Sequence, residues 1–138
     1  MACPALPTCG LALAESERLM PDVVTRIENL LKESGLPEEE VIVRMTGCPN
    51  GCARPHMAEL ALVGKAPGKY QVYLGGNASG TRLARLYRET VKNEDLVNEL
   101  RPLFARFARE RDGVERFGDF CNRTVLQEAA PAPAPVPA

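Results

Sequence analysis

Residues 41–52 read Val-Ile-Val-Arg-Met-Thr-Gly-Cys-Pro-Asn-Gly-Cys. The first six alternate, with Val41, Val43 and Met45 on one side, and their β-branched content favours a strand over residues 41–46. That strand runs directly into a loop with two thiols, Cys48 and Cys52, three residues apart in spacer. Pro49 stiffens the approach and Gly51 permits a positive φ, so the backbone itself preorganises the pair. A second pair, Cys3 and Cys9 with five residues between, lies on a stretch punctuated by Pro4, Pro7 and Gly10. Buried structural cysteines usually sit within periodic apolar segments, whereas these four sit in turn-rich ones. That context points to metal binding.

Outward from this stretch, residues 13–34 carry a helical pattern, with Val23, Val24, Ile27, Leu30 and Leu31 on one face and Pro21 expected to kink or restart the helix. Gly35 and Pro37 supply its stop. Residues 59–63 and 70–74 read as strands joined by a hairpin connection through residues 64–69. Residues 75–80 form a turn cluster. Residues 81–91 then look helical, with Leu83, Leu86 and Tyr87 on one side and Arg82, Arg85 and Arg88 on the other. Asn93 is expected to cap a longer helix whose stripe is Leu96, Val97, Leu100, Leu103, Phe104 and Phe107, bent at Pro102. The pattern predicts one α+β domain over residues 1–128, a small and mostly antiparallel sheet with packed helices. Residues 129–138 are only alanine, proline and valine, a composition that favours a disordered tail.

Seventeen basic against 18 acidic side chains give a net charge of −1 over 138 residues, which offers no case for nucleic-acid binding or a membrane surface. The sequence has no apolar run long enough to cross a bilayer and no secretory leader pattern, so a cytoplasmic setting is expected. Five cysteines in such a setting argue against a disulfide framework. The one histidine, His56, excludes a site of several imidazoles and reads as solvated. Cys121, far from both pairs, reads as a packed thiol. Spacing leaves two metals open. An iron–sulfur cubane needs four converging thiolates, and loops with Gly or Pro let backbone amides approach the sulfurs. A closed zinc site uses four thiolates too, and tolerates the three-residue spacer better than the five-residue one.

The segments Ala2-Cys3-Pro4-Ala5-Leu6-Pro7-Thr8-Cys9-Gly10 and Thr46-Gly47-Cys48-Pro49-Asn50-Gly51-Cys52-Ala53-Arg54-Pro55 resemble the two cluster-binding motifs of the sulfite reductase haemoproteins, in the nitrite/sulfite reductase family. The likeness extends through Met57-Ala58-Glu59-Leu60, Tyr73-Leu74-Gly75-Gly76 and Phe117-Gly118-Asp119-Phe120, covering all but the Ala/Pro tail. It implies a 4Fe-4S cluster ligated by Cys3, Cys9, Cys48 and Cys52, with Cys52 bridging to a sirohaem iron. It further implies the six-electron reduction of sulfite to sulfide. Asn50 is a candidate for orienting the loop or touching the haem edge, and Arg54 for pairing a sirohaem carboxylate.

Family members carry a long upstream region that supplies most of the sirohaem pocket and the basic side chains that grip sulfite. Here Met1 and Ala2 alone precede Cys3, so the expectation is a fragment or one part of a split enzyme, inactive without that upstream remainder. Ferredoxin or an NADPH-fed flavoprotein would be the electron donor, the basic side of residues 81–92 being one docking candidate for an acidic ferredoxin. Nitrite reductase is the alternative within the family. A zinc-stabilised binding module and a stand-alone 4Fe-4S electron carrier are the alternatives outside it.

Overall fold

Pro21 starts the first helix instead of bending it. In the computed structural model, which describes residues 1–77 and 79–129, helix α1 spans Met20–Glu33 with the proline in its first turn, where a missing N–H is no loss. The helix expected over residues 13–19 does not form. The Leu13 and Ala14 N–H groups both donate to the Gly47 carbonyl (2.9 and 3.0 Å), the Ser16 hydroxyl donates to Met45 O (2.7 Å), and the Tyr70 hydroxyl donates to Glu15 O (2.6 Å). These tertiary bonds override the local periodicity. α1 buries Val23, Ile27, Leu30 and Leu31, and the chain leaves it through Gly35 at φ 81°.

Strands β1 (Val43–Thr46), β2 (Leu60–Ala66), β3 (Lys69–Leu74) and β4 (Arg85–Lys92) form one sheet in that order. β1 runs parallel to β2, while β2–β3 and β3–β4 are antiparallel, so the sheet is mostly antiparallel as its sequence suggested. Leu60 to Gly64 are buried without a break, which explains why β2 reads as a continuous apolar run and not an alternating one. The hairpin after β2 turns on Pro67-Gly68, with Gly68 at φ 69°.

Residues 81–91, expected to be helical, instead lead into and supply β4. Tyr87 is half-buried and Val91 buried, and their spacing of four suits a strand's period of two as well as a helical turn. The hydrogen-bonding edge of β3 decides between them: Tyr70 pairs with Val91, Val72 with Arg88, and Leu74 with Arg85. The arginines expected to form a basic docking side are already engaged. Arg82 pairs with Asp119 (2.7 Å), Arg88 with Glu99 (3.3 Å), and Arg85 donates to Asn122 Oδ1 (3.2 Å).

Helix α2, Leu96–Glu110, contains Pro102 and buries Leu96, Leu100, Leu103, Phe104 and Phe107. Asn93 does not cap it. Its side-chain oxygen accepts from Arg26 Nη2 at 2.6 Å, which ties α1 to the approach to α2. The chain then forms α3 (Phe117–Phe120), a wide helical turn (Cys121–Val125) and α4 (Leu126–Ala129). Phe117 packs on Phe104 and Phe107, with ring centroids 4.8 and 5.4 Å apart, so this segment closes the main core shared by α1, the sheet and α2. Cys121 is fully buried there, and burial pushes its thiol up, the packed state its sequence context suggested. Of the expected disordered tail, residues 130–138 lie outside the described residues. No helix among the described residues is long and apolar enough to cross a membrane.

Candidate metal centre

Cys3 is placed by backbone pairing. The Met1 amino group donates to Val43 O (3.0 Å), Met45 N–H to Met1 O (2.9 Å) and Cys3 N–H to Met45 O (3.1 Å), so the first residues lie alongside β1 in parallel, with Ala2 opposite Met45. This register sets the Cys3 sulfur against the residues that lead into Cys48. Its Sγ accepts the Gly47 N–H at 3.2 Å and lies 3.4 Å from the hydroxyl of Thr46, a fully buried residue. Burial pushes the Cys3 thiol up, but the bonds from Thr46, the Gly47 amide and Ser16 outweigh it and leave the group below its ordinary value. Donors aimed at sulfur favour the thiolate, the form that binds metal.

Gly47 is where the two cysteine loops meet. Its carbonyl accepts both Leu13 and Ala14, and a Cβ added at Gly47 would stand 2.5 Å from Ala5 Cβ and 2.7 Å from Ala14 O. From the other side, Gly64 of β2 packs so closely that a Cβ there would collide with the Gly47 carbonyl. Ala5, at φ 53°, and Arg54, at φ 52°, are the non-glycine residues with positive φ among those described, and one lies in or beside each cysteine loop. Such conformations are uncommon and collect at functional sites.

Gly51 takes φ 69° as its sequence position suggested, and its N–H donates to Cys48 O at 3.3 Å. In the other loop, Cys9 N–H donates to Ala5 O at 2.7 Å. Cys3 and Cys48 are buried, Cys9 is half-buried and Cys52 is exposed; all four are free thiols. The structure therefore joins the loops, with Cys3 and Cys48 buried, the Cys3 sulfur held by hydrogen bonds, and Cys9 and Cys52 nearer the surface. Among the described residues, no three Cys, His, Asp or Glu side chains are already gathered tightly enough to hold a metal ion. The donor set fits an iron–sulfur cluster, with four free thiols on two joined loops and a backbone amide directed at one sulfur. Asn50 and Arg54 are both exposed, and neither side chain has a hydrogen-bond or ion-pair partner among the described residues. His56 is exposed and lies edge-on to Tyr73, with ring centroids 4.7 Å apart.

Glu59 escaped the sequence reading. It is fully buried. Its Oε1 accepts the Ile42 N–H (3.0 Å) and Arg116 Nη2 (2.8 Å), and its Oε2 accepts the Gly118 N–H (2.9 Å). The hydrogen bond to Glu59 in turn holds the Arg116 guanidinium above its usual value. One carboxylate thus joins the entry to β1, the start of β2 and the start of α3. Beside it, a Cβ at Gly76 would strike the Ala58 carbonyl, and one at Gly118 would strike the Gly76 carbonyl. Three separate stretches, around Ala58, Gly76 and Gly118, thereby form one contiguous bed next in the chain to the Cys52 loop. The signal for Glu59 was present in the sequence, as an acid opening an otherwise apolar strand.

Residues 1–130 match the family described as the nitrite and sulphite reductase 4Fe-4S domain. The chain is 58% identical over 123 residues to the sulfite reductase [NADPH] hemoprotein beta-component of Staphylococcus epidermidis, covering 89% of this chain and 22% of that protein. It is 59% identical over 123 residues to the sulfite reductase [ferredoxin] of Synechococcus elongatus, covering 89% of this chain and 20% of that one. Relatives named for either electron donor are thus equally similar. Among solved structures, that of the Mycobacterium tuberculosis NirA protein superposes with a TM-score of 0.76 at 25% identity, covering 94% of this chain and 26% of that one. The chain spans about a fifth of the length of the two sulfite reductases.

Proposed function

Because the chain belongs to the nitrite and sulphite reductase 4Fe-4S domain family, we propose that it is the cluster-ligating part of a sulfite reductase haemoprotein. Cys3, Cys9, Cys48 and Cys52 would hold the 4Fe-4S cluster, and Cys52, the exposed member, would also serve as the thiolate presented to the sirohaem. Together the two groups, when bound, deliver the six electrons that convert sulfite to sulfide, with six protons taken up and the three oxygens leaving as water. The observation that carries this reading is the meeting of the two cysteine loops at Gly47, with the Cys3 sulfur on the Gly47 N–H at 3.2 Å.

The chain's own residues hold and orient. The Gly47 amide and Thr46 hydroxyl stabilise negative charge on the Cys3 sulfur. Pairing along β1 fixes where that sulfur stands, and the Pro49–Gly51 turn sets the approach of Cys48 and Cys52. Arg54, exposed and without a partner among the described residues, offers its planar guanidinium to a sirohaem carboxylate. Asn50 steadies the loop or meets the haem edge. Gripping the sulfite dianion falls to basic side chains elsewhere in the haemoprotein, and the donor is ferredoxin or an NADPH-fed flavoprotein.

Anaerobic reconstitution with iron, sulfide and sirohaem tests the proposal. The wild-type chain should turn brown with broad visible absorption. Serine at Cys3, Cys9, Cys48 or Cys52 should abolish most of that absorption, while Cys121→Ser should keep it. A colourless protein with stoichiometric zinc would overturn the reading. The chain alone should produce no sulfide, and robust turnover would show that the division of labour is wrong.

A further inference from the structure

We propose that the groove between α1 and β1 receives an apolar polypeptide segment flanked by lysine or arginine, contributed by the remainder of the haemoprotein. The proposal rests on the reading of this chain as one part of that larger protein, since its match covers 22% and 20% of two sulfite reductases. Two adjoining cavities of about 450 and 230 Å³ form the groove, sharing Glu28, Leu31, Glu39 and Glu40 in their walls. Met20, Val24, Ile27 and Leu31 of α1 face Val41 and Val43 across the larger one.

Only Ile27 and Leu31 of these six are buried, while the other four are half-buried. Val24 belongs to the apolar face of α1, yet it is only half-buried where its neighbours Val23 and Ile27 are buried. Apolar surface left open to water in a continuous groove marks a contact site. The rim says what kind of partner fits. Glu28, Glu38 and Glu40 are exposed and have no ion-pair partner among the described residues, whereas Glu39 is held by Arg111 at 2.8 Å. The cations on the walls are Lys32 and the Met1 amino group, the latter already bonded to Val43 O. Three carboxylates without an ion pair, Glu40 alone feeling the more distant Arg116, surround an apolar floor; they repel an acidic partner and attract an apolar segment with basic flanks. The β4 edge of the sheet has the opposite character, since Arg88 there is paired with Glu99 while Arg85 is bonded only to the neutral Asn122 side chain.

The probe is the Staphylococcus epidermidis sulfite reductase hemoprotein beta-component shortened to stop where its match to this chain begins, with binding to the full chain followed by calorimetry. The variants are Val24→Asp, the pair Glu28→Lys with Glu40→Lys, the conservative Val24→Leu, and Arg85→Glu on β4 as a control; unchanged circular dichroism and urea midpoints confirm that each folds. Val24→Asp should weaken binding about tenfold or more, as truncating a central contact does. The charge reversal should weaken it comparably and flatten its salt dependence. Val24→Leu and Arg85→Glu should leave it unchanged. Binding that survives Val24→Asp and the charge reversal but falls with Arg85→Glu overturns the groove and leaves the haemoprotein reading intact. Absence of binding, or self-association of the chain that Val24→Asp abolishes, also overturns it. Sulfide production by the chain alone, assayed separately, is what would defeat the reading beneath.

Discussion

Replacing Gly47 with alanine would put a methyl group where the two cysteine loops touch. The new Cβ would stand 2.5 Å from Ala5 Cβ and 2.7 Å from Ala14 O, whereas carbons in contact sit about 3.5–4.0 Å apart. Neither neighbour can swing aside, since one is a methyl on a residue at φ 53° and the other is backbone. The loops must therefore part by about 1 Å, an overpacking that costs about 1–3 kcal/mol. Parting also stretches the bonds from Leu13 and Ala14 to the Gly47 carbonyl, each worth about 1 kcal/mol. A total near 3 kcal/mol is a large share of the roughly 5–15 kcal/mol that holds a domain folded. With a urea slope of about 1–2 kcal/mol per molar, the unfolding midpoint should fall by about 2 M. Reconstituted Gly47→Ala should also lose most of its visible absorption, because the amide that meets the Cys3 sulfur moves with the loop. A midpoint within about 0.3 M of wild type, together with full cluster loading, would refute the idea that Gly47 joins the loops.

Glu59→Ala strips the acceptor from the Ile42 and Gly118 N–H groups and the partner from Arg116, and should destabilise by about 3 kcal/mol in urea; a change under about 1 kcal/mol would show the carboxylate is dispensable. Burial pushes the Tyr70 hydroxyl up from its ordinary 10 to about 12. The fold thus favours the neutral phenol, so its stabilisation is complete below pH 10 and lost as pH rises toward 12. Urea midpoints should fall across that alkaline range in the wild type and fall less in Tyr70→Phe, and parallel slopes would dismiss the linkage. In thiol labelling followed by mass spectrometry, Cys52 should react first and Cys9 next, with Cys121 reacting only after unfolding; early label on Cys121 would mean the C-terminal segment opens in the native state.

The candidate cysteine site was legible because its signal lies in residue type and short spacing: two cysteine pairs, each with its own turn-forming glycine or proline. The helix α2 and the strands β1 to β3 were legible from period and composition. What was not legible depended on partners distant in sequence. Tyr87 and Val91 satisfy two periods at once, and only the open edge of β3 selects the strand. Residues 13–19 have a helical pattern, but Gly47, Met45 and Tyr70 claim their hydrogen-bonding groups. Asn93 has the right side chain for a cap and spends it on Arg26. Glu59 shows its importance only when Ile42, Arg116 and Gly118 are seen around it.

At Gly47 against Gly64, and at Ala58, Gly76 and Gly118, the chain is laid backbone on backbone, and the separation between layers is fixed by side chains that are not there. Truncating the neighbours, the usual way to locate determinants, will pass over this architecture in silence, since nothing remains to remove. Damage comes instead from added bulk, and its remedy is compensating loss of bulk across the seam rather than any restored polar contact. Ala5→Gly, which also relieves a positive φ, should recover part of the stability lost in Gly47→Ala, and a double variant as unstable as the single one would show that the seam is not where the two loops are held.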